Sequence, residues 1–124
     1  MTTAPTLTLD FKKNRIRLFK SALKTLGMPK RILFLVNPTT GILAVKAANS
    51  NPKEQAVSVS ANFLNGEDSC DTYSLLLMSR LRPLGDFKDA KASYTVTGYY
   101  AAGNTVAVFP LNSAVLIREG DNES

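Results

Sequence analysis

The 124-residue chain has no histidine, no tryptophan and only one cysteine, Cys70. Without histidine it lacks the usual general base near neutral pH, the commonest zinc ligand and the commonest pH switch. A single cysteine excludes an internal disulfide, so a reducing, cytoplasmic setting is the expectation. Long apolar runs are missing too. The longest, residues 32–36, is far too short to cross a bilayer, and no membrane partner is expected. The start, M-T-T-A-P-T-L-T-L-D, has no basic segment leading into an apolar one, so no secretory signal is expected. There is no P-loop, dinucleotide fingerprint or G-x-S-x-G. Acids are absent from the stretch between Asp10 and Glu54.

The chemistry that remains is thin. Cys70 sits in E-D-S-C-D, where nearby carboxylates disfavour the thiolate. Glu67, Asp68 and Asp71 lack the spacing of a calcium loop and read as helix-capping and solvated groups. The expectation is a non-catalytic protein with no cofactor, no metal and no small-molecule substrate.

What is present is charge, unevenly placed. The net charge is +5, yet residues 1–62 carry ten lysines and arginines against two acids, net +8. Residues 63–124 carry five against eight, net −3. Such asymmetry speaks about partners and not about fold. Length allows one domain over residues 1–124 with one core, and loose tails at 1–5 and 119–124.

Residues 6–11 alternate polar and apolar, as a short strand does. Residues 14–26 read as a helix. Leu18, Phe19, Ala22, Leu23 and Leu26 share one side, Arg17, Lys20 and Lys24 share the other, and Gly27 and Pro29 end it. Residues 31–36 and 41–47 flank N-P-T-T-G and read as a hairpin. Residues 56–63 are a further strand candidate. After a polar loop, residues 72–81 read as a second helix capped by Asp71. Residues 91–100 and 105–110 form a second hairpin pair around A-A-G-N, and residues 114–118 a last strand.

The halves resemble each other. Ser21, Leu23, Lys24, Leu26 and Gly27 match Ser79, Leu81, Arg82, Leu84 and Gly85 at an offset of 58. Ala44-Val45 matches Ala107-Val108 and Asn49-Ser50 matches Asn112-Ser113 at an offset of 63. Element order repeats as well. The fold expected is α+β: two pseudo-repeated (β)-α-β-β-β units, about 6–63 and 64–118, forming one antiparallel sheet with two helices on one face. This element order resembles the unit of DNA processivity clamps and, more loosely, the TATA-box-binding-protein arrangement. The resemblance lies in element order alone, without a shared motif, and by itself implies a fold and not a function.

The basic stretch points further. Lys12, Lys13, Arg15, Arg17, Lys20, Lys24, Lys30 and Arg31 put eight cations into twenty residues with no acid among them. A face of this kind suits phosphates. Nucleic acid, DNA first and without sequence preference, is the partner expected for these eight residues. A plain soluble face, or one meeting the acidic half of another copy, are the alternatives. Tyr94 and Tyr100 fall on one face of their strand and Tyr99 on the other, a pattern for cross-strand packing more than base stacking. Position-by-position comparison of the helices leaves Leu75 and Met78, with Arg82, on the outside of the second. That makes Leu75, Met78 and Arg82 the surface for an adaptor or homo-oligomer reading.

Overall fold

The computed structural model describes residues 4–48, 57–58, 69–85, 87 and 91–117. The chain is α+β, with strands dominating. In order it runs β1 (Thr6–Asp10), β2 (Arg15–Phe19), α1 (Lys20–Thr25), β3 (Arg31–Asn37), β4 (Ile42–Ala47) and β5 (Val57–Ser58). It continues with β6 (Ser69–Tyr73), α2 (Leu75–Leu81), a 3-10 turn at Arg82–Leu84, β7 (Ser93–Thr97), β8 (Tyr99–Ala101), β9 (Val106–Pro110), a 3-10 turn at Leu111–Ser113 and β10 (Val115–Ile117).

The strands form two antiparallel sheets of five, not the one sheet expected. Sheet 1 has the order β10-β7-β1-β2-β6 and sheet 2 the order β5-β3-β4-β9-β8. The division follows from Gly98. The stretch 93–101 is a single apolar-rich run, but at Gly98 it leaves sheet 1 and enters sheet 2. A Cβ at this position would overlap the carbonyl oxygen of Val108, so only glycine lets the two backbones approach. Its N–H donates to the Pro5 carbonyl at 2.8 Å. Pro5 is buried, so the start of the chain is tied down at that point and not loose.

The first helix is much shorter than its periodicity suggests. Residues 15–19 are strand β2, and only Lys20–Thr25 are helical. The competing pattern is R-I-R-L, in which Ile16 and Leu18 are buried while Arg15 and Arg17 face the other way. The helix stop is as expected. Gly27, at φ +92°, donates its N–H to the Lys24 carbonyl at 3.1 Å, and Met28 donates to Leu23 at 2.8 Å. This is a Schellman cap.

Three further readings change. Helix α2 starts at Leu75, and its cap is Ser74, whose hydroxyl accepts from the Leu77 N–H at 3.1 Å. Asp71 lies in β6 and caps nothing. Of the polar loop read at residues 65–71, residues 69–71 belong to strand β6, and the remainder lies outside the described residues. Of the strand candidate 56–63, residues 57–58 are β5, and the remainder lies outside the described residues. The hairpin around N-P-T-T-G is as read. The Asn37 side chain accepts from the Thr39 and Thr40 N–H groups at 3.0 and 3.3 Å, and Gly41 takes a positive φ of 68°.

One core joins both sheets and both helices. Leu7, Leu9, Ile16 and Leu18 enter it from sheet 1, Ile32, Leu43, Val45 and Phe109 from sheet 2, and Ala22, Leu23, Met78 and Leu81 from the helices. Tyr94 is buried in β7, where its ring meets those of Phe87 and Phe11 at centroid distances of 4.9 and 5.9 Å. Tyr99 is exposed, and Tyr100 is half-buried against the core.

Candidate nucleic-acid interface

The eight cations do not form one helical stripe. They divide along β2. Lys12 and Lys13 sit on the turn between β1 and β2, both exposed. Lys20 and Lys24 lie on α1 at the far end of β2, and Lys30 and Arg31 lie where β3 begins. A five-residue strand is about 17 Å long, and that length separates the turn from the helix.

The turn is built by Asp10. One carboxylate oxygen accepts the N–H groups of Lys12 and Lys13 at 3.1 and 3.2 Å, and Asn14 closes the bend at φ +52°. The other oxygen takes Arg15 Nη2 at 3.1 Å. Asp10 is thereby spent on its own turn, which points two lysines outward.

Arg15 and Arg17 between the clusters are occupied. On the outer face of sheet 1, Arg17 stands opposite Asp71 of β6, and Arg15 opposite Asp10 of β1. Arg17 holds Asp71 with two parallel bonds, Nε to Oδ1 at 2.8 Å and Nη2 to Oδ2 at 3.0 Å. Arg15 Nη1 lies 3.8 Å from the same carboxylate. The result is a chain Asp10–Arg15–Asp71–Arg17 across three strands with no net charge. The hydrogen bonds from Arg17, opposed by partial burial, hold the Asp71 carboxyl below the usual carboxylate range. The same bonds raise Arg17. Asp71 is 54 residues away from Arg17, so no local pattern links the two. For Asp10 the signal was present. Leu7, Thr8, Leu9 and Asp10 mirror Leu18, Arg17, Ile16 and Arg15 about the turn, a hairpin pattern.

No protein family, no characterised protein and no solved structure matches this chain.

Among the described residues, Lys12, Lys13, Lys20, Lys24, Lys30 and Arg31 make no ion pair with a carboxylate. These six, at the β1–β2 turn, on α1 and at the start of β3, are the cations of the eight still open to a phosphate. Of the surface expected on the second helix, Leu75 is 68% exposed, but Met78 is 1% exposed and belongs to the core. The α2 face that looks outward carries Leu76 at 64%, with Tyr73 of β6 at 63% just before it. The comparison of the two helices had put Leu76 inside. It fails because, at an offset of 58, residues 75–77 align with residues 17–19 of strand β2, which have no helical faces to compare. Arg82 follows α2, with its guanidinium carbon 4.6 Å from the Phe11 ring centroid, a cation–π stack over the aromatic cluster. Among the described residues no three His, Cys, Asp or Glu side chains are placed to share a metal ion. No described helix is long and apolar enough to cross a membrane.

Proposed function

We propose that the protein is a non-catalytic, nucleic-acid-associated protein that grips phosphates, without reading sequence, through basic points at the β1–β2 turn, on α1 and at the start of β3. The observation that carries this reading is the set of six uncompensated cations, Lys12, Lys13, Lys20, Lys24, Lys30 and Arg31, beside a pair of arginines that do have partners. The separation of about 17 Å between the β1–β2 turn and α1 corresponds to about five steps of rise along a duplex axis, at about 3.4 Å per step. Arg15 and Arg17 support the surface in this reading and do not contact phosphate.

The test is anisotropy of a labelled, arbitrary-sequence duplex titrated with the protein from 25 to 200 mM salt. Six phosphate contacts predict a log–log salt slope of about −5, and Lys12→Glu/Lys13→Glu should reduce its magnitude by about 2. Absence of binding at 25 mM salt would end the proposal. Equal affinity for single-stranded RNA would shift the partner from DNA to nucleic acid in general.

A second reading, a protein adaptor, is favoured by Tyr73, Leu75 and Leu76, which stand exposed together at the β6–α2 junction. Here the docking surface is the start of α2, with Leu76 and Tyr73 taking the place of Met78.

We further propose that the fold arose by doubling of one β-α-β-β-β unit. Two pairings support this. β2 lies antiparallel to β6 with Arg15 opposite Tyr73, residues 58 apart. β4 lies antiparallel to β9 with Ala44 opposite Val108 and Val45 opposite Ala107, centred on an offset of 63. The second matches the offset at which the later part of each half repeats in sequence, and the first meets the offset of 58 at the end of its ladder. In each half one stretch also pairs with the two strands that accompany it in that half. β3 pairs with β4 and β5, and the bent run β7–β8 pairs with β9 and β10.

A further inference from the structure

Tyr73 is the last residue of β6 and, at 63%, the most exposed aromatic among the described residues. Strand alternation places its ring. Cys70 and Thr72 are buried on the inner side, so Asp71 and Tyr73 share the outer face of sheet 1. That face is otherwise polar, with Thr6 and Thr8 of β1, Thr95 and Thr97 of β7, and the Arg–Asp chain. Directly opposite Tyr73 stands Arg15, held by Asp10. On its other flank β6 has no neighbour among the described residues. A large, flat, apolar ring therefore stands in water at the edge of a polar sheet.

The β1–β2 turn lies beside it. The Ser74 N–H donates to the Asn14 carbonyl at 2.9 Å, which ties the end of β6 to the end of that turn. Lys12 and Lys13 are exposed there. Lys13 is among the cations that draw down the Asp71 carboxyl, two residues before Tyr73 on the same face. The two acids among the described residues, Asp10 and Asp71, are both taken up by arginines. Leu75 and Leu76 continue the apolar surface onto α2.

We infer that Tyr73 is a stacking platform for an unpaired base, so that the nucleic acid gripped at the β1–β2 turn is single-stranded where it crosses this edge. The inference rests on the phosphate reading above and names the form of nucleic acid that it takes. A flat ring with cations alongside and no free carboxylate among the described residues suits a nucleotide. The base offers a π-face to the ring, and its phosphate offers negative charge to the lysines. In a duplex both faces of a base are covered by its neighbours, whereas an unpaired base can lie on a protein ring. The spacing is suitable. Lys13 is two residues from Arg15, within about 7 Å along the chain, so base and phosphate contacts fall to one or two successive nucleotides. Stacking tolerates any base, in keeping with a grip that reads no sequence.

Anisotropy at 25 mM salt tests it with three labelled oligomers of one length: a thymidine single strand, the same backbone without bases, and a duplex. The wild type should bind the thymidine strand about tenfold more tightly than the baseless one. Tyr73→Ala, its folding checked by circular dichroism, should lose that tenfold and keep its affinity for the baseless strand and the duplex within about twofold. The chain has no tryptophan, so Tyr73→Trp supplies a single reporter. Its fluorescence should be quenched by the thymidine strand and not by the baseless one. A wild type that binds none of the three ends the phosphate reading and this inference with it. Binding that ignores the presence of bases overturns this inference alone. So does an equal loss on all three oligomers in Tyr73→Ala, or unquenched fluorescence in Tyr73→Trp. Each of these leaves the phosphate grip standing and the ring to a protein partner.

Discussion

Arg17 and Asp71 meet across two strands, and among the described residues β6 is an edge strand paired with β2 alone. Their two-point contact therefore fastens that edge. Part of the pair is in water, so its net worth is modest, and Asp71→Asn should lower stability by about 1 kcal/mol. The sign of its pH dependence follows from the depressed Asp71 carboxyl. The contribution is complete above the ordinary carboxylate value near 4 and is lost as pH falls toward the folded value. Melting temperatures from pH 7 to pH 3 should thus drop less in Asp71→Asn than in the wild type. Met78 and Leu76 form a contrasting pair. Met78→Lys buries a charge in the core and should cost about 3 kcal/mol or more, read by urea unfolding. Leu76→Lys should stay within about 0.5 kcal/mol. At this scale much was legible. The alternation of Leu7 and Leu9, the cap at Gly27 and the inward Tyr94 follow from local rules. The partner of Arg17 does not, since nothing local links positions 17 and 71.

Elements were legible where local chemistry decides them. Asn37, Pro38 and Gly41 specify a turn, and the flanking β-branched runs can only be its strands. Strand β2 was illegible because two periods share Leu18. Residues 18, 19, 22, 23 and 26 obey a helix, while 15–18 obey a strand. The strand prevails because β1 and β6 stand ready on either side to accept its backbone bonds. Helix α2 depends on Ser74 for its only side-chain cap, and Ser74→Ala should cost about 1 kcal/mol by urea unfolding. Gly98 has more at stake. Gly98→Ala must push the β8 corner off Val108, and a loss of about 2–4 kcal/mol is expected in the same measurement. The outward threonines of sheet 1 and the outward Leu35 and Tyr99 of sheet 2 were present in the sequence. Their meaning depended on knowing that there are two sheets, which rests on that one glycine.

For the molecule as a whole, the doubled-unit proposal makes a demand on connectivity. A permuted chain that starts at residue 64 and joins residue 124 to residue 1 through a short linker should keep the native circular dichroism and a cooperative melt. The order of sheet 1 has another consequence. β1 precedes β7 in the chain by a long stretch, yet it lies in the middle of its sheet, between β2 and β7, with Thr6 opposite Thr97. On the ribosome the β1–β2 hairpin must therefore wait, one flank bare, until most of the remaining polypeptide has emerged. Long-range closure of this kind is slow and exposes sticky intermediates. A nascent chain stalled before β7 should be protease-sensitive and attract chaperones. Emergence of residues 93–117 should bring abrupt resistance.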